Sequence, residues 1–194
     1  MSVLLEHIYK SYGEKQVLSD FSAELSDHAV TCVMGESGCG KTTLLHLLAG
    51  LTIPDSGRIH GRPPGKIAMV FQENRLVESF TVWRNLKMVQ GVLTKQEAGE
   101  MLSDVGMEKS VLAQPVSALS GGMKRRVAIL RALLCDSSLV LLDEPTGGLD
   151  EANKLAVISY IRKKTQGKTT LWVTHDADEA RLASDHLLYL ERPS

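Results

Sequence analysis

Four short apolar runs stand out along the chain, and each one stops at a polar or glycine-rich cluster. They cover residues 29–34, 67–71, 139–142 and 169–173. Apolar runs of this length, bounded in this way, are typical of parallel strands that are buried on both faces. They predict the central strands of a sheet.

Helical patterns lie between these runs, at residues 41–49 ending at Gly50, 123–135, and 151–164 ending near Gly167. Strands that alternate with helices predict an α/β fold with a mostly parallel sheet. Residues 3–9 and 17–25 instead alternate apolar and polar positions. That alternation predicts half-exposed antiparallel strands, which would form an N-terminal side sheet.

The pattern changes between Gln72 and Ser120, where amphipathic stretches at 82–90 and 95–105 have no strong buried strand between them. This indicates an inserted helical subdomain. We therefore expect a single domain over residues 1–194, with a core at 1–72 and 124–194 and a helical subdomain at 73–123.

Composition and charge narrow the possible functions. The 194 residues suit one compact core, and the net charge of −1 gives no general attraction to nucleic acid. No apolar run approaches the roughly 18 residues needed to span a bilayer. The three cysteines are odd in number and lack metal-site or paired spacing, which predicts reduced thiols in a cytoplasmic protein.

In a parallel sheet, ligands gather beyond the carboxyl ends of the strands. The first apolar run is followed by residues 35–42, which read Gly-Glu-Ser-Gly-Cys-Gly-Lys-Thr and open a helix. Backbone N–H groups of such a loop cradle phosphates, while Lys41 reaches the β- and γ-phosphates and Thr42 offers a hydroxyl to Mg²⁺. Cys39 has no expected role in this chemistry. We hypothesise that its thiol is sensitive to alkylation.

Three other strand ends carry polar side chains suited to phosphate hydrolysis. Asp143 and Glu144 follow an apolar run, where Asp143 would hold the Mg²⁺ shell and Glu144 would act as general base on water. An imidazole at His175 can contact the γ-phosphate and position the water or the base. The amide of Gln72 can touch the metal or the attacking water.

A second anion site is predicted at Ser120, Gly121 and Gly122, which follow Leu119 and precede a helix. Taken alone, this motif would be a flexible helix cap. Beside a complete phosphate loop, it suggests a dimer in which each copy completes the site of the other. The basic residues at 124–126 are expected to form a solvated face.

In its order of motifs, the chain resembles the nucleotide-binding domain of ABC transporters, and the resemblance covers essentially the whole sequence. It rests on Tyr12, the phosphate loop, Gln72, residues 119–122, Asp143-Glu144, Leu149-Asp150 and His175. The resemblance implies ATP and Mg²⁺ as cofactors, with Glu144, His175 and Gln72 as catalytic residues and Thr42, Gln72 and Asp143 at the metal. The implied nucleotide contacts are Tyr12, Gly35, Glu36, Ser37, Gly38, Cys39, Gly40, Lys41, Thr42, Thr43, Ser120, Gly121 and Gly122.

The same resemblance implies partners and a location. A second copy or a homologous ATPase subunit would form a head-to-tail dimer with two shared ATP molecules, with Tyr12 on adenine and Asp150 at the dimer interface. The dimer would lie on membrane-spanning permease subunits at the inner face of the cytoplasmic membrane, with an extracytoplasmic solute-binding protein as a further partner and no nucleic acid. Residues 72–76 and 80–82 are similar to importers of the nitrate, sulfonate and taurine group.

The sequence departs from the family pattern at a few positions. Met123 stands where glutamine is usual, Gly148 where alanine or serine is usual, and His28-Ala29 where Gly-Glu is usual. An alternative function is a soluble ABC ATPase that acts on nucleic acid or ribosomes, although such proteins usually bring coiled coils, tandem domains or basic arms. A small-molecule kinase would leave residues 119–122 without a purpose.

Overall fold

The computed structural model describes residues 2–193, which form eight strands and six α-helices. The strands are β1 (Val3–Tyr12), β2 (Lys15–Leu25), β3 (Val30–Met34), β4 (Ser56–His60), β5 (Lys66–Val70), β6 (Ser137–Asp143), β7 (Thr169–Val173) and β8 (His186–Tyr189). The helices are α1 (Lys41–Ala49), α2 (Val82–Lys87), α3 (Lys95–Asp104), α4 (Gly121–Leu133), α5 (Glu151–Lys164) and α6 (Ala177–Ala183).

Five of the strands form a sheet in the order β5-β6-β7-β3-β8. β3 pairs in parallel with both β7 and β8, and β6 pairs in parallel with β7. All five residues of β7 are buried, as a central strand covered on both faces requires. The four apolar runs of the sequence are therefore four of the five strands of this sheet, with the run at 67–71 forming its edge strand β5.

The other three strands form an antiparallel sheet in the order β2-β1-β4. β1 alternates buried and exposed positions from Val3 to Leu5, and most positions of β2 and β4 are exposed or half-buried, as in a sheet covered on one face. The predicted α/β fold, with a mostly parallel sheet and an N-terminal antiparallel sheet, is confirmed.

The chain divides into two compact units. The first, here called the sheet unit, comprises residues 1–69, 137–144 and 165–194, and the second, the helical unit, comprises 70–136 and 145–164. The predicted helical subdomain at 73–123 lies within the helical unit, which also contains α4 and α5. α4 begins inside the predicted second anion site at 119–122, and α5 follows the carboxylate pair in the sequence.

The sheet unit has one apolar core to which both sheets and α1 contribute. Leu5 and Ile8 come from β1, Leu45 from α1, and Leu141 and Leu171 from the parallel sheet, and none is more than 2% exposed. Burying an apolar side chain of this size contributes about 1.5–3 kcal/mol. The core thus ties the phosphate-loop helix to the sheet beneath it.

In the helical unit, side chains fix where the helices begin. Thr94 and Glu97 form a reciprocal capping box at the start of α3, and Thr81 caps α2. The fully buried Asn85 accepts from the Val77 N–H and donates to the Val77 and Thr81 carbonyls, so its amide is satisfied without water. Within residues 2–193, no helix is long and apolar enough to cross a bilayer.

We predict that Leu141→Ala lowers the free energy of unfolding by about 2–5 kcal/mol, because it opens a cavity in a core whose Leu141 is 0% exposed. Urea denaturation followed by circular dichroism measures the change. The matched control is Leu182→Ala, since Leu182 is 55% exposed. Equal losses in the two variants would contradict the placement of Leu141 at the centre of the core.

Candidate functional site

The phosphate loop connects β3 to α1, and the start of α1 is shaped to receive an anion. Gly40 precedes the helix with a φ of 111°, and within residues 2–193 no side chain caps this helix end. A Cβ at Gly40 would lie 3.0 Å from the Val17 carbonyl oxygen, so only glycine fits without displacing β2. The positive end of the helix dipole is thus open to a phosphate.

Lys41 is the buried cation of this loop. Its Nζ donates to the Gly35 carbonyl at 2.7 Å and to the Glu36 carbonyl at 2.8 Å. The ammonium group is therefore held by the loop itself, within the cradle that phosphate oxygens would enter. The Cys39 thiol is only 1% exposed, so the hypothesis of an alkylation-sensitive cysteine finds no support.

Thr42 and Asp143 meet where α1 and β6 approach each other. The Thr42 hydroxyl donates to Asp143 Oδ2 at 2.9 Å, and Asp143 is 3% exposed. A hydroxyl and a carboxylate are hard oxygen ligands of the kind that Mg²⁺ prefers. These two predicted metal ligands, which are 101 residues apart in the sequence, therefore lie side by side and fit a divalent cation.

Glu144 follows β6 in a strained backbone conformation. Its φ is 45°, a left-handed value that costs a non-glycine residue on the order of 1–3 kcal/mol. Its N–H donates to the Val173 carbonyl at 3.0 Å, which fixes the turn to the neighbouring strand. The chain therefore turns sharply at Glu144, the residue predicted from the sequence to be the general base.

The Glu144 side chain points to His175, which follows β7. Glu144 Oε1 lies 3.1 Å from His175 Nδ1. An ionised carboxylate can only accept, so Nδ1 carries the proton of this bond and the imidazole is oriented by Glu144. The predicted base and histidine are thus in direct contact.

A buried polar cluster that sequence analysis missed holds the backbone on which His175 sits. Glu179 of α6 is 3% exposed and accepts from the indole N–H of Trp172 at 2.9 Å and from the Thr174 hydroxyl at 2.5 Å. The Asp176 N–H donates in turn to the Thr174 hydroxyl at 3.1 Å. This cluster fixes the residues on both sides of His175.

Tyr12 lies at the end of β1 with 51% of its surface exposed. The Lys10 ammonium lies 5.4 Å from the centre of its ring and is itself paired with Asp55 at 2.7 Å. An exposed ring with a fixed neighbour is available for stacking against a planar base.

The remaining predicted site residues belong to the helical unit. Ser120 caps the 13-residue helix α4, with its hydroxyl accepting from the Met123 N–H at 3.3 Å. Ser120 and Gly121 are exposed, and a Cβ at Gly121 would meet nothing within 4 Å. The helix therefore presents an uncrowded N-terminal end. Gln72 is exposed just beyond β5.

The basic residues at 124–126, which follow the motif at 119–122, do not form the solvated face predicted from the sequence. Arg125 is 5% exposed and donates to the carbonyls of Phe71 at 2.5 Å, Gln72 at 3.2 Å and Pro145 at 2.9 Å. It joins the backbone around Gln72 to the residue that follows Glu144. A run of charged residues is usually solvated, which is why the sequence predicted an exposed face. The backbone carbonyls that accept from Arg125 leave no signal in the sequence.

Arg126 is also buried, at 8% exposed. It donates to the Val105 and Gly106 carbonyls, each at 3.0 Å, and to Asn153 Oδ1 at 2.6 Å. Burial lowers the pKa of Arg126, although guanidinium groups remain charged in proteins. Only Lys124 behaves as a surface cation, pairing with the exposed Glu78 at 2.9 Å.

A family model described as ABC transporter matches residues 18–147. The chain belongs to the ABC transporter family. It is 39% identical over 97% of its length to the aliphatic sulfonates import ATP-binding protein SsuB of Granulibacter bethesdensis, of which it covers 79%. It is 35% identical over 97% of its length to the protein of the same name from Delftia acidovorans, again covering 79%.

Solved structures agree with this membership. The dimeric structure of the bacterial ABC transporter cassette MJ0796 superposes with a TM-score of 0.85 at 28% identity, over 97% of this chain and 94% of that one. A dimeric post-hydrolysis state of the same cassette, bound to ADP and Pi, gives the same score over 99% and 97% of the two chains. The protein is accordingly an ATP-binding and ATP-hydrolysing subunit of the ABC transporter type.

In this ABC ATPase, Asp150 immediately precedes α5. Its Oδ1 accepts from the Asn153 N–H at 3.0 Å and its Oδ2 from the Asn153 side-chain amide at 2.6 Å. These two bonds, with a smaller contribution from the charge of Arg126, lower the pKa of Asp150. The carboxylate therefore stabilises the fold above the ordinary aspartate pKa of about 3.9, and this stabilisation is lost as the pH falls through the lowered value.

We predict that Asn153→Ala raises the pKa of Asp150 part of the way to its ordinary value, because the side-chain donor is lost while the backbone donor stays. Carboxyl NMR titration measures the shift. Asp55 is an internal control, since bonds from Lys10 and Ser11 lower its pKa independently. An unchanged Asp150 titration would contradict a role for the Asn153 amide.

Proposed function

We propose that this chain powers the import of small organic sulfonates as the ATPase subunit of an ABC importer. The observation that supports this most is its relatives: eight proteins, 35–39% identical over 97–98% of the chain, are each described as an aliphatic sulfonates import ATP-binding protein. None of these relatives supports the alternative of a nucleic-acid-directed or ribosome-directed ATPase.

Nucleotide binding in this proposal begins at the phosphate loop. Backbone N–H groups of residues 35–43 surround the phosphates, and Lys41 exchanges its carbonyl partners for phosphate oxygens. The exposed ring of Tyr12 stacks on adenine. Thr42 and Asp143 would hold the Mg²⁺ that neutralises phosphate charge, and Gln72 stays a predicted ligand of that ion.

Two copies of the chain, or one copy and a homologous subunit, complete each other's sites. The exposed N-terminal end of α4, with Ser120, Gly121 and Gly122, receives the phosphates bound by the other subunit. The ligand thus lies between two subunits, and ATP binding closes the dimer. The dimeric cassette, similar in structure over nearly the whole chain, supports this arrangement.

Hydrolysis depends on the pair of residues beyond β6 and β7. Glu144 accepts a proton from the attacking water, and His175, oriented through its Nδ1–H bond to Glu144, keeps the carboxylate and the γ-phosphate in register. Once the phosphate bond breaks, the link between subunits weakens and the dimer reopens. Membrane-spanning permease subunits, contacted at Gln72 and the helical unit, convert this cycle into solute movement at the inner face of the membrane.

We predict that Glu144→Gln slows ATP hydrolysis by about 10²–10⁴-fold while ATP still binds, because the amide keeps the shape of the carboxylate but cannot accept the proton. Steady-state phosphate release measures the rate. Gel filtration with MgATP should then find a stable dimer, since ATP is bound but not consumed.

Lys41→Ala is the matched control, because it removes the phosphate contact and should leave a monomer that does not bind ATP. Undiminished hydrolysis by the Glu144→Gln variant would exclude Glu144 as the general base. A wild-type affinity in the Lys41→Ala variant would exclude the loop as the nucleotide site.

The transported solute is tested with permease subunits that co-purify with this chain from membranes. We predict that proteoliposomes containing both, supplied with a sulfonate-binding protein on the opposite side, take up labelled ethanesulfonate when MgATP is supplied on the ATPase side. Vesicles with Glu144→Gln should show no uptake above leakage. ATP-driven uptake of nitrate without uptake of ethanesulfonate would contradict the sulfonate assignment.

A further inference from the structure

The segment after β8 runs along the phosphate loop. β8 is the parallel neighbour of β3, with Met34 opposite Tyr189, and the next N–H, of Leu190, donates to the Met34 carbonyl at 2.8 Å. Because the two strands are parallel, the chain leaves β8 at the same edge where β3 passes into the phosphate loop. A Cβ at Gly35 would collide with the Leu190 carbonyl oxygen, so the two backbones are in direct contact.

Arg192 extends this contact to the next residues of the loop. Its guanidinium donates through Nη2 to the Ser37 carbonyl, and its Nε lies 3.5 Å from a carboxylate oxygen of Glu36. The ion pair is exposed, at 57% for Arg192 and 80% for Glu36, and exposed pairs contribute little. The bond to the Ser37 carbonyl is therefore the contact with a structural consequence.

That consequence follows from the planarity of the peptide bond. The Ser37 carbonyl and the Gly38 N–H belong to one rigid peptide group and point in opposite directions. A donor that holds the carbonyl therefore also sets the direction of the Gly38 N–H. Gly38 has a φ of 78°, and a glycine without such a restraint would be free to turn this group away.

Lys41 and Arg192 together hold three consecutive carbonyls of the loop. Lys41 takes those of Gly35 and Glu36, and Arg192 takes that of Ser37. Lys41 has a second task, because phosphate oxygens compete for its ammonium group. Arg192 is not part of the phosphate loop motif, so its guanidinium can stay bonded to the Ser37 carbonyl while nucleotide is bound.

We propose that Arg192 is a positioning residue for ATP binding, which holds the Ser37–Gly38 peptide so that the Gly38 N–H faces the nucleotide phosphates. The inference rests on the phosphate loop as the ATP site. It assigns a role to a residue that lies far from the loop in sequence and that no motif marks.

The test replaces Arg192 with methionine, which keeps a flexible, unbranched apolar stem but removes the guanidinium donors. We expect the Kd for ADP and for MgATP to rise about three- to tenfold, as for the loss of one ordinary intramolecular hydrogen bond, with KM raised and kcat at saturation little changed. Without nucleotide, amide hydrogen exchange of residues 37–40 should become faster. Arg181→Met is the control, because Arg181 is also an exposed arginine and pairs only with Asp178 of its own helix among the contacts described for it.

A second variant separates positioning from simple charge. Glu36→Gln combined with Arg192→Met has the same local net charge as the wild type but still lacks the donor to Ser37. We expect the weaker ADP binding to persist in this double variant. It should also persist at about 0.5 M salt, which screens interactions between exposed charges. Recovery of wild-type affinity would overturn the proposal in favour of charge alone.

Wild-type affinity and amide exchange in the Arg192→Met variant would also overturn the proposed role of Arg192. That outcome would leave the phosphate loop itself untouched. Failure of the loop assignment would appear elsewhere, as wild-type affinity in the Lys41→Ala variant, so the two failures can be told apart.

Discussion

The parallel pairing of β3, β6 and β7 is the constraint on which the site depends. Parallel strands all end at the same edge, so the loop after β3, the carboxylates after β6 and the histidine after β7 have to meet there. The register brings Asp143 opposite Val173, two residues before His175. Residues far apart in the sequence thus become neighbours through the backbone pattern alone, before any side chain is considered.

The edge of the sheet is also where the chain departs from relaxed geometry. Glu144 has a positive φ, and its N–H is held by the Val173 carbonyl. The cost of this conformation is offset by a sheet in which β7 is fully buried and β6 is buried from residue 139 to 143. The stability of the core and the orientation of the proposed base are therefore linked, because the sheet holds the turn in place.

Much of this arrangement could be predicted because it depends on local patterns. The helix at 151–164 and the strand at 169–173 were predicted with the bounds that the structure has, since apolar periodicity and flanking glycines mark their ends. β8 was not predicted, because His186–Tyr189 is a short edge strand with mostly exposed side chains. Its pairing with β3 is a tertiary contact that leaves no periodic signal.

The buried arginines were missed for a related reason. Arg125 donates to the Phe71 carbonyl, which lies 54 residues away in the sequence. Every residue has a backbone carbonyl, so the residue type at the acceptor position gives no signal. Sequence therefore predicts which side chains touch ATP, because their types are fixed by chemistry. It could not identify Arg125, Arg126, Glu179 or Arg192, which act through backbone groups or through one another. The roles of the nucleotide-contacting residues themselves stay predictions.

The indole of Trp172, bonded to Glu179 and 0% exposed, gives the protein a built-in spectroscopic reporter. The chain has two tryptophans, and the other, Trp83, is half-buried on α2 with the Lys87 ammonium 5.2 Å from its ring. One fluorophore thus belongs to the sheet unit and one to the helical unit. Acrylamide reaches a half-buried ring far more readily than a fully buried one, so quenching can separate the emission of the two units during a single turnover.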